Sequence, residues 1–219
     1  TFVGHPLLDD ESQNKIDFDS LINKDKNIIS IFPGSRMSEI KTLMPILVKF
    51  ISLMNEKTDN FFYVFHATKE FKDFIKEFLI SYNFKNFEVI SDENIKLNLL
   101  SKSIFAIAKS GTISLEISNA GIPSIIIYKM NFLNFFIIKL LIKVKYANIF
   151  NIISDREIIP ELLQNKCNPQ TIYDVLNQHL ENPELGKKQI LNCNKILKEI
   201  KTKDSSTAKV ANILNESLL

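Results

Sequence analysis

Two short runs hold the residue types that grip an anion: Pro33-Gly34-Ser35-Arg36 and Lys109-Ser110-Gly111-Thr112. Each follows an apolar, β-rich segment and leads into a helical pattern. At a strand-to-helix turn, free backbone N–H groups and the positive end of the helix dipole point at whatever sits above. Gly34 permits a backbone conformation barred to other residues, Ser35 is placed to cap the helix, and Arg36 suits a bidentate contact with a phosphate. The same four residues read equally as an ordinary turn with a solvated arginine. In the second run Ser110 and Thr112 add hydroxyl donors, and Gly111 lets a ligand approach the backbone. Glu116 lies one helical turn after Thr112, on the same face. A carboxylate there either accepts two hydrogen bonds from a vicinal diol such as a ribose, or simply favours the dipole of a helix that Thr112 begins.

A frame must bring the two runs together. Apolar β-type segments at 28–32, 61–65, 87–90, 104–108 and 124–128 alternate with helical periods at 38–55, 69–82, 95–100 and 112–120. This alternation predicts an α/β, Rossmann-like architecture, a parallel sheet with helices on both faces. Ligands of such sheets sit at the carboxyl ends of the strands, where both runs fall. Past Tyr128 the strand signals fade, and helices are expected at 131–143, 160–164, 169–181, 183–200 and 205–219.

Composition narrows the function. A chain of 219 residues with 45% hydrophobic content can bury one sizeable core. The 27 basic residues are nearly matched by 25 acidic ones, so no global basic excess argues for nucleic acid. Cys167 and Cys193 have no partners at metal-ligand spacing, so neither a metal nor a disulfide framework is expected, and both read as reduced thiols of a cytosolic protein. The first residues are not a signal peptide, and without an initiator Met the chain reads as a fragment whose first half lies elsewhere. The apolar run 132–142 falls short of the ~20 residues a span requires. With Phe135 and Phe136 on it and Lys139 and Lys143 at its end, it reads as an interfacial helix touching anionic head groups, or as a core helix or dimer contact. His66 and His179 are assigned no role.

Four blocks, "VGHPLLD", "PGSRMSEIKTLMPIL", "AIAKSGTISLEISNAGIPSIIIYKMNFLNFFIIKLLIKVKYANIFNII" and "IIPELLQ", resemble in order and spacing the bacterial lipid-A-disaccharide synthases, from Val3 to about Asn168. The resemblance implies the C-terminal, UDP-sugar-binding half of a two-domain GT-B fold. It implies transfer of 2,3-diacylglucosamine from a UDP-linked donor to 2,3-diacylglucosamine 1-phosphate, with inversion, release of UDP, and no metal or other cofactor. The absent N-terminal domain would supply the acceptor site and the catalytic base, leaving this chain inactive alone. Arg36 would steady the diphosphate, Gly34, Ser35, Ser110, Gly111 and Thr112 would hold phosphate, and Glu116 would take the ribose. Asn151, grouped with Arg36 as catalytic, and Glu161 and Gln164, grouped with the substrate, fall on family motifs. Phe150 stands where a proline is usual, and Ser154-Asp155 where an Ala-Gly pair is common.

The implied domains are a hinge at 1–8, a linker at 9–26, the nucleotide-sugar domain at 27–182, and helices at 183–219 that pack on the absent domain or a partner subunit. The cytoplasmic face of the inner membrane and a homodimer partner are expected. A UDP-N-acetylglucosamine 2-epimerase, an undecaprenyl-linked glucosaminyltransferase and a non-catalytic nucleotide-binding module are the alternatives.

Overall fold

Six parallel strands form the frame: β1 (Asn27–Phe32), β2 (Phe61–His66), β3 (Phe87–Ile90), β4 (Ser103–Lys109), β5 (Ser124–Tyr128) and β6 (Glu161–Leu163). Among the described residues, seven α-helices connect and cover them: α1 (Met37–Lys57), α2 (Lys72–Ser81), α3 (Glu93–Lys102), α4 (Ile113–Asn119), α5 (Ile149–Ser154), α6 (Pro169–Glu181) and α7 (Pro183–Ile200). The computed structural model describes residues 22–23, 25–130 and 145–200. The expected hinge, most of the linker, Phe135, Phe136, Lys139, Lys143 and the helix at 205–219 lie outside the described residues.

The strands are covered on both faces, which is why they read as continuous apolar runs; every residue of β2 is buried. Ile29, Ile31, Tyr63, Phe65, Phe105 and Ile107 point to one face, against α1, α2 and α6. Phe32, Ala106, Ala108 and Ile126 point to the other, against α4, α5 and α7. The sheet order is β3-β2-β1-β4-β5-β6. The chain therefore winds outward from β1 in one direction and then, from β4, in the other. Connections on either side of that reversal leave on opposite faces and open a crevice at the carboxyl ends of β1 and β4.

The C-terminal half differs from expectation in two elements. Residues 160–164 are not a helix: Pro160 offers its carbonyl to the Ile126 N–H at 2.9 Å, and Glu161–Leu163 pairs with the end of β5 as an edge strand. Proline suits the start of such a strand, and three residues are too few to show alternation. Helix α5 was not anticipated, since six residues carry no helical period. Asn148 caps it by accepting from the Phe150 N–H at 2.9 Å, and Asp155, left-handed at φ 45°, ends it.

Helix α7 docks on this domain's own face. The Gln189 amide accepts from the Ser124 N–H at 2.8 Å and donates to the Ser124 carbonyl at 2.7 Å, as a neighbouring strand would. Gly186 passes so close to Pro123 that a Cβ would lie 3.3 Å from its ring. Cys167 and Cys193 are free and buried, and burial pushes each thiol up to about 11. Among the described residues no helix is long and apolar enough to cross a membrane.

Candidate functional site

The crevice is a cavity of about 450 Å³ lined by the segments that follow β1, β2, β3 and β4. Both glycine-containing runs reach it: Gly34 and Ser35 from the first, Lys109 through Thr112 from the second. At the first corner Gly34 sits at φ 119°, a region that side chains rarely enter, and a Cβ there would stand 2.6 Å from Glu39 Oε2. The helix cap is not the one expected. Arg36 occupies the N-cap position and makes no side-chain cap bond; Ser35 lies one residue outside, and its N–H donates to Glu39 Oε2 at 3.2 Å. The Arg36 side chain is 79% exposed at the rim, with its guanidinium 3.8 Å from Glu39 Oε1.

Glu39 also joins the two corners, because Oε1 meets Lys109 Nζ at 2.9 Å. Sequence reasoning passed over Glu39; its signal was an acid at the third helical position, placed to reach back to an unpaired N–H. Lys109 is further held over the Tyr128 ring, 5.3 Å from its centroid. At the second corner Thr112 stands at the N-cap of α4 with no side-chain cap bond, so its hydroxyl and Gly111 face solvent. The Ser110 hydroxyl is already engaged, donating to the Ala147 carbonyl at 2.9 Å.

Glu116 is not among the residues that line the cavity. It holds Lys96, which does, at 2.7 Å, and Lys96 also pairs with Glu93. Burial alone would push the Lys96 ammonium down, but its hydrogen bonds to Glu116 and Glu93 outweigh this and hold it above its ordinary range. Lys96 lay in a helix with no motif around it, so only the fold reveals its place.

Asn151, Glu161 and Gln164 lie beside the crevice rather than in it. Asn151 Oδ1 accepts from the Ile158 and Ile159 N–H groups at 2.7 and 2.9 Å, and Nδ2 donates to the Ile159 carbonyl and to Glu161 Oε1, both at 2.7 Å. All four hydrogen-bonding positions of the amide are filled in a fully buried residue, which leaves none for a substrate. Glu161 in turn accepts from the Ala147 and Asn148 N–H groups at 2.8 and 2.9 Å. A continuous chain of contacts thus runs from Asn151 through Glu161 to Ala147, and so to Ser110. Asn151 thus braces the loop that carries Ala147, whose carbonyl receives the Ser110 hydroxyl. Gln164 is left-handed at φ 52°, and its buried Nε2 has no partner.

His66 closes the floor. Its ring stacks on Phe32, centroids 4.3 Å apart and 8° from parallel, and Nε2 lies 2.9 Å from Ser30 Oγ. Burial, assisted by the nearby Lys96 charge, lowers its pKa to about 3, so the imidazole is neutral.

The chain matches the family profile described as lipid-A-disaccharide synthetase over residues 1–214. The lipid-A-disaccharide synthase of Rickettsia bellii is 36% identical over 204 residues, covering 91% of this chain and 52% of the relative. Among solved structures, the UDP-GlcNAc 2-epimerase of Neisseria meningitidis, bound to UDP-GlcNAc, superposes with a TM-score of 0.60 at 16% identity, covering 90% of this chain and 47% of that one. A glycosyltransferase from Rickettsia africae superposes with a TM-score of 0.61 at 14% identity, covering 91% and 50%. The chain spans about half the length of the curated relatives it matches. The shared fold is therefore one Rossmann-like half of the GT-B arrangement.

Proposed function

The chain belongs to the lipid-A-disaccharide synthetase family, and on that premise we propose that its crevice holds the UDP moiety of a UDP-2,3-diacylglucosamine donor whose sugar is passed to 2,3-diacylglucosamine 1-phosphate. The observation that carries this reading is the meeting of two glycine-containing corners on one cavity, bridged by Glu39 and Lys109 at 2.9 Å. Lys109 and the exposed Arg36, both paired with Glu39, stand with the solvent-facing Gly111 and Thr112 as a donor-rich mouth for a diphosphate. As the sugar bond breaks, negative charge grows on the departing UDP, and fixed donors aimed at it lower the barrier. The UDP-GlcNAc carried by the Neisseria relative in fold is consistent with such a ligand.

In this reading Glu116 acts on the ribose directly or by placing Lys96. Asn151 and Glu161 hold the loop that orients Ser110, and Gln164 lies at the far end of the same support. Among the described residues lining the cavity Glu93 is the one acid, and Lys96 occupies it. The acceptor's proton is proposed to pass to a base outside the described lining of this cavity. Membrane contact at the cytoplasmic face is proposed for the run 132–142 with Lys143 at its end, supported by Ile149, Ile152 and Ile153, which are 36, 48 and 44% exposed a few residues beyond it.

Calorimetric titration with UDP tests the site. The starting chain binds, and Arg36→Ala and Glu116→Ala each weaken binding by about tenfold, the effect of losing a charged hydrogen-bond partner. A starting chain that binds no UDP would overturn the reading.

A further inference from the structure

Among the described residues lining the crevice, His66 Nδ1 is the one buried side-chain nitrogen with no partner. Its protonation state follows from its neighbours. The Ser103 hydroxyl donates to the Leu99 carbonyl at 2.9 Å, and a carbonyl can only accept. Ser103 Oγ must then receive the Ser30 hydroxyl, 2.7 Å away, which leaves Ser30 Oγ to receive His66 Nε2–H at 2.9 Å. The relay fixes the proton on Nε2 and a bare lone pair on Nδ1. The flat stack on Phe32 keeps the ring from turning. An acceptor buried without a donor costs stability until something supplies one.

Resting on the UDP reading above, we propose that His66 is a specificity-determining residue for the nucleoside end of the donor. Its Nδ1 accepts a hydrogen bond from an N–H or O–H of the nucleoside, either the base imide or a ribose hydroxyl. Ionised phosphate oxygens have no proton to give, so the same lone pair turns them away. The cavity is thereby polarised: the two glycine corners and Lys109 take the diphosphate, and the neutral imidazole takes the end that carries donors. Lys96, which lines the same wall, is engaged by Glu116 and Glu93 and does not fill this role.

The test is calorimetry on the full chain with UDP, 2′-deoxy-UDP, 3′-deoxy-UDP and N3-methyl-UDP, for the starting protein and for His66→Phe, which keeps the stack on Phe32 and removes the acceptor. The starting protein binds at least one analogue about tenfold more weakly than UDP, and His66→Phe binds UDP about tenfold more weakly while losing its discrimination against that analogue. The analogue concerned identifies the donor. Equal affinity of the starting protein for all four ligands, or unchanged discrimination in the variant, overturns the assignment while leaving UDP binding intact. Absence of UDP binding by the starting protein removes the underlying reading instead. Should His66→Phe not fold, the Nδ1 resonance of the starting protein, followed by nitrogen NMR, carries the test. It moves when UDP is added and stays in place with the discriminated analogue; no movement with UDP overturns the inference.

Discussion

Gly34 is the residue whose replacement costs most for its size. Its φ of 119° and the 2.6 Å approach of Glu39 Oε2 act together, so Gly34→Ala is expected to destabilise the chain by about 2 kcal/mol. Gly121→Ala meets no atom within 4 Å and bears only the strain of φ 72°. Its loss should be about 1 kcal/mol, with UDP affinity unchanged. Urea melts of the two variants, with UDP titrations beside them, make the comparison. His66 sets a second expectation. Its folded pKa of about 3 lies below the ordinary 6.5, so under pH 6.5 the unfolded chain binds a proton that the native chain refuses. Stability is complete above pH 6.5 and falls toward pH 3, by up to about 1.4 kcal/mol per unit. Denaturant melts of the starting chain and His66→Asn at pH 7 and pH 5 should show a smaller loss in the variant. At this scale the sequence showed which residue types gather, because glycine, hydroxyl and guanidinium groups declare themselves by kind. It did not show which of their atoms are already occupied. The engaged hydroxyl of Ser110 and the filled amide of Asn151 depend on Ala147, Ile159 and Glu161, whose positions only the fold determines.

Between elements, the seam of α7 on β5 rests on one amide. Gln189→Ala would leave the Ser124 N–H and carbonyl buried and unpaired, and should cost about 3 kcal/mol, measurable as a lower denaturant midpoint with an unchanged slope. UDP affinity should persist, because the seam enters the sheet at the opposite end from the crevice. The boundaries of β5, α6 and α7 were legible from Gly121, Pro123, Pro169 and Pro183, residues that punctuate the chain through their own backbone geometry. Strand β6 was not legible, because its identity lies in a bond from Ile126 to the Pro160 carbonyl rather than in any pattern of its own. Helix α5 escaped for a related reason: Asn148 and the left-handed Asp155 fix its ends, and six residues between them show no period.

For the molecule as a whole, the prediction is binding without turnover. Incubated with UDP-2,3-diacylglucosamine and 2,3-diacylglucosamine 1-phosphate, the 219-residue chain should form no disaccharide while still binding UDP. Clear product formation would place the missing base within this polypeptide. The crevice also has a mechanical side. Helix α3 is fastened at two heights, by Lys96 to Glu116 and by the Leu99 carbonyl to the Ser103 hydroxyl, and the second fastening continues through Ser30 to the imidazole on the crevice floor. A wall pinned twice cannot swing by itself. Any clamping over a bound nucleotide therefore has to come from the rim arginine or from a hinge outside the sheet, with this half behaving as a stiff jaw.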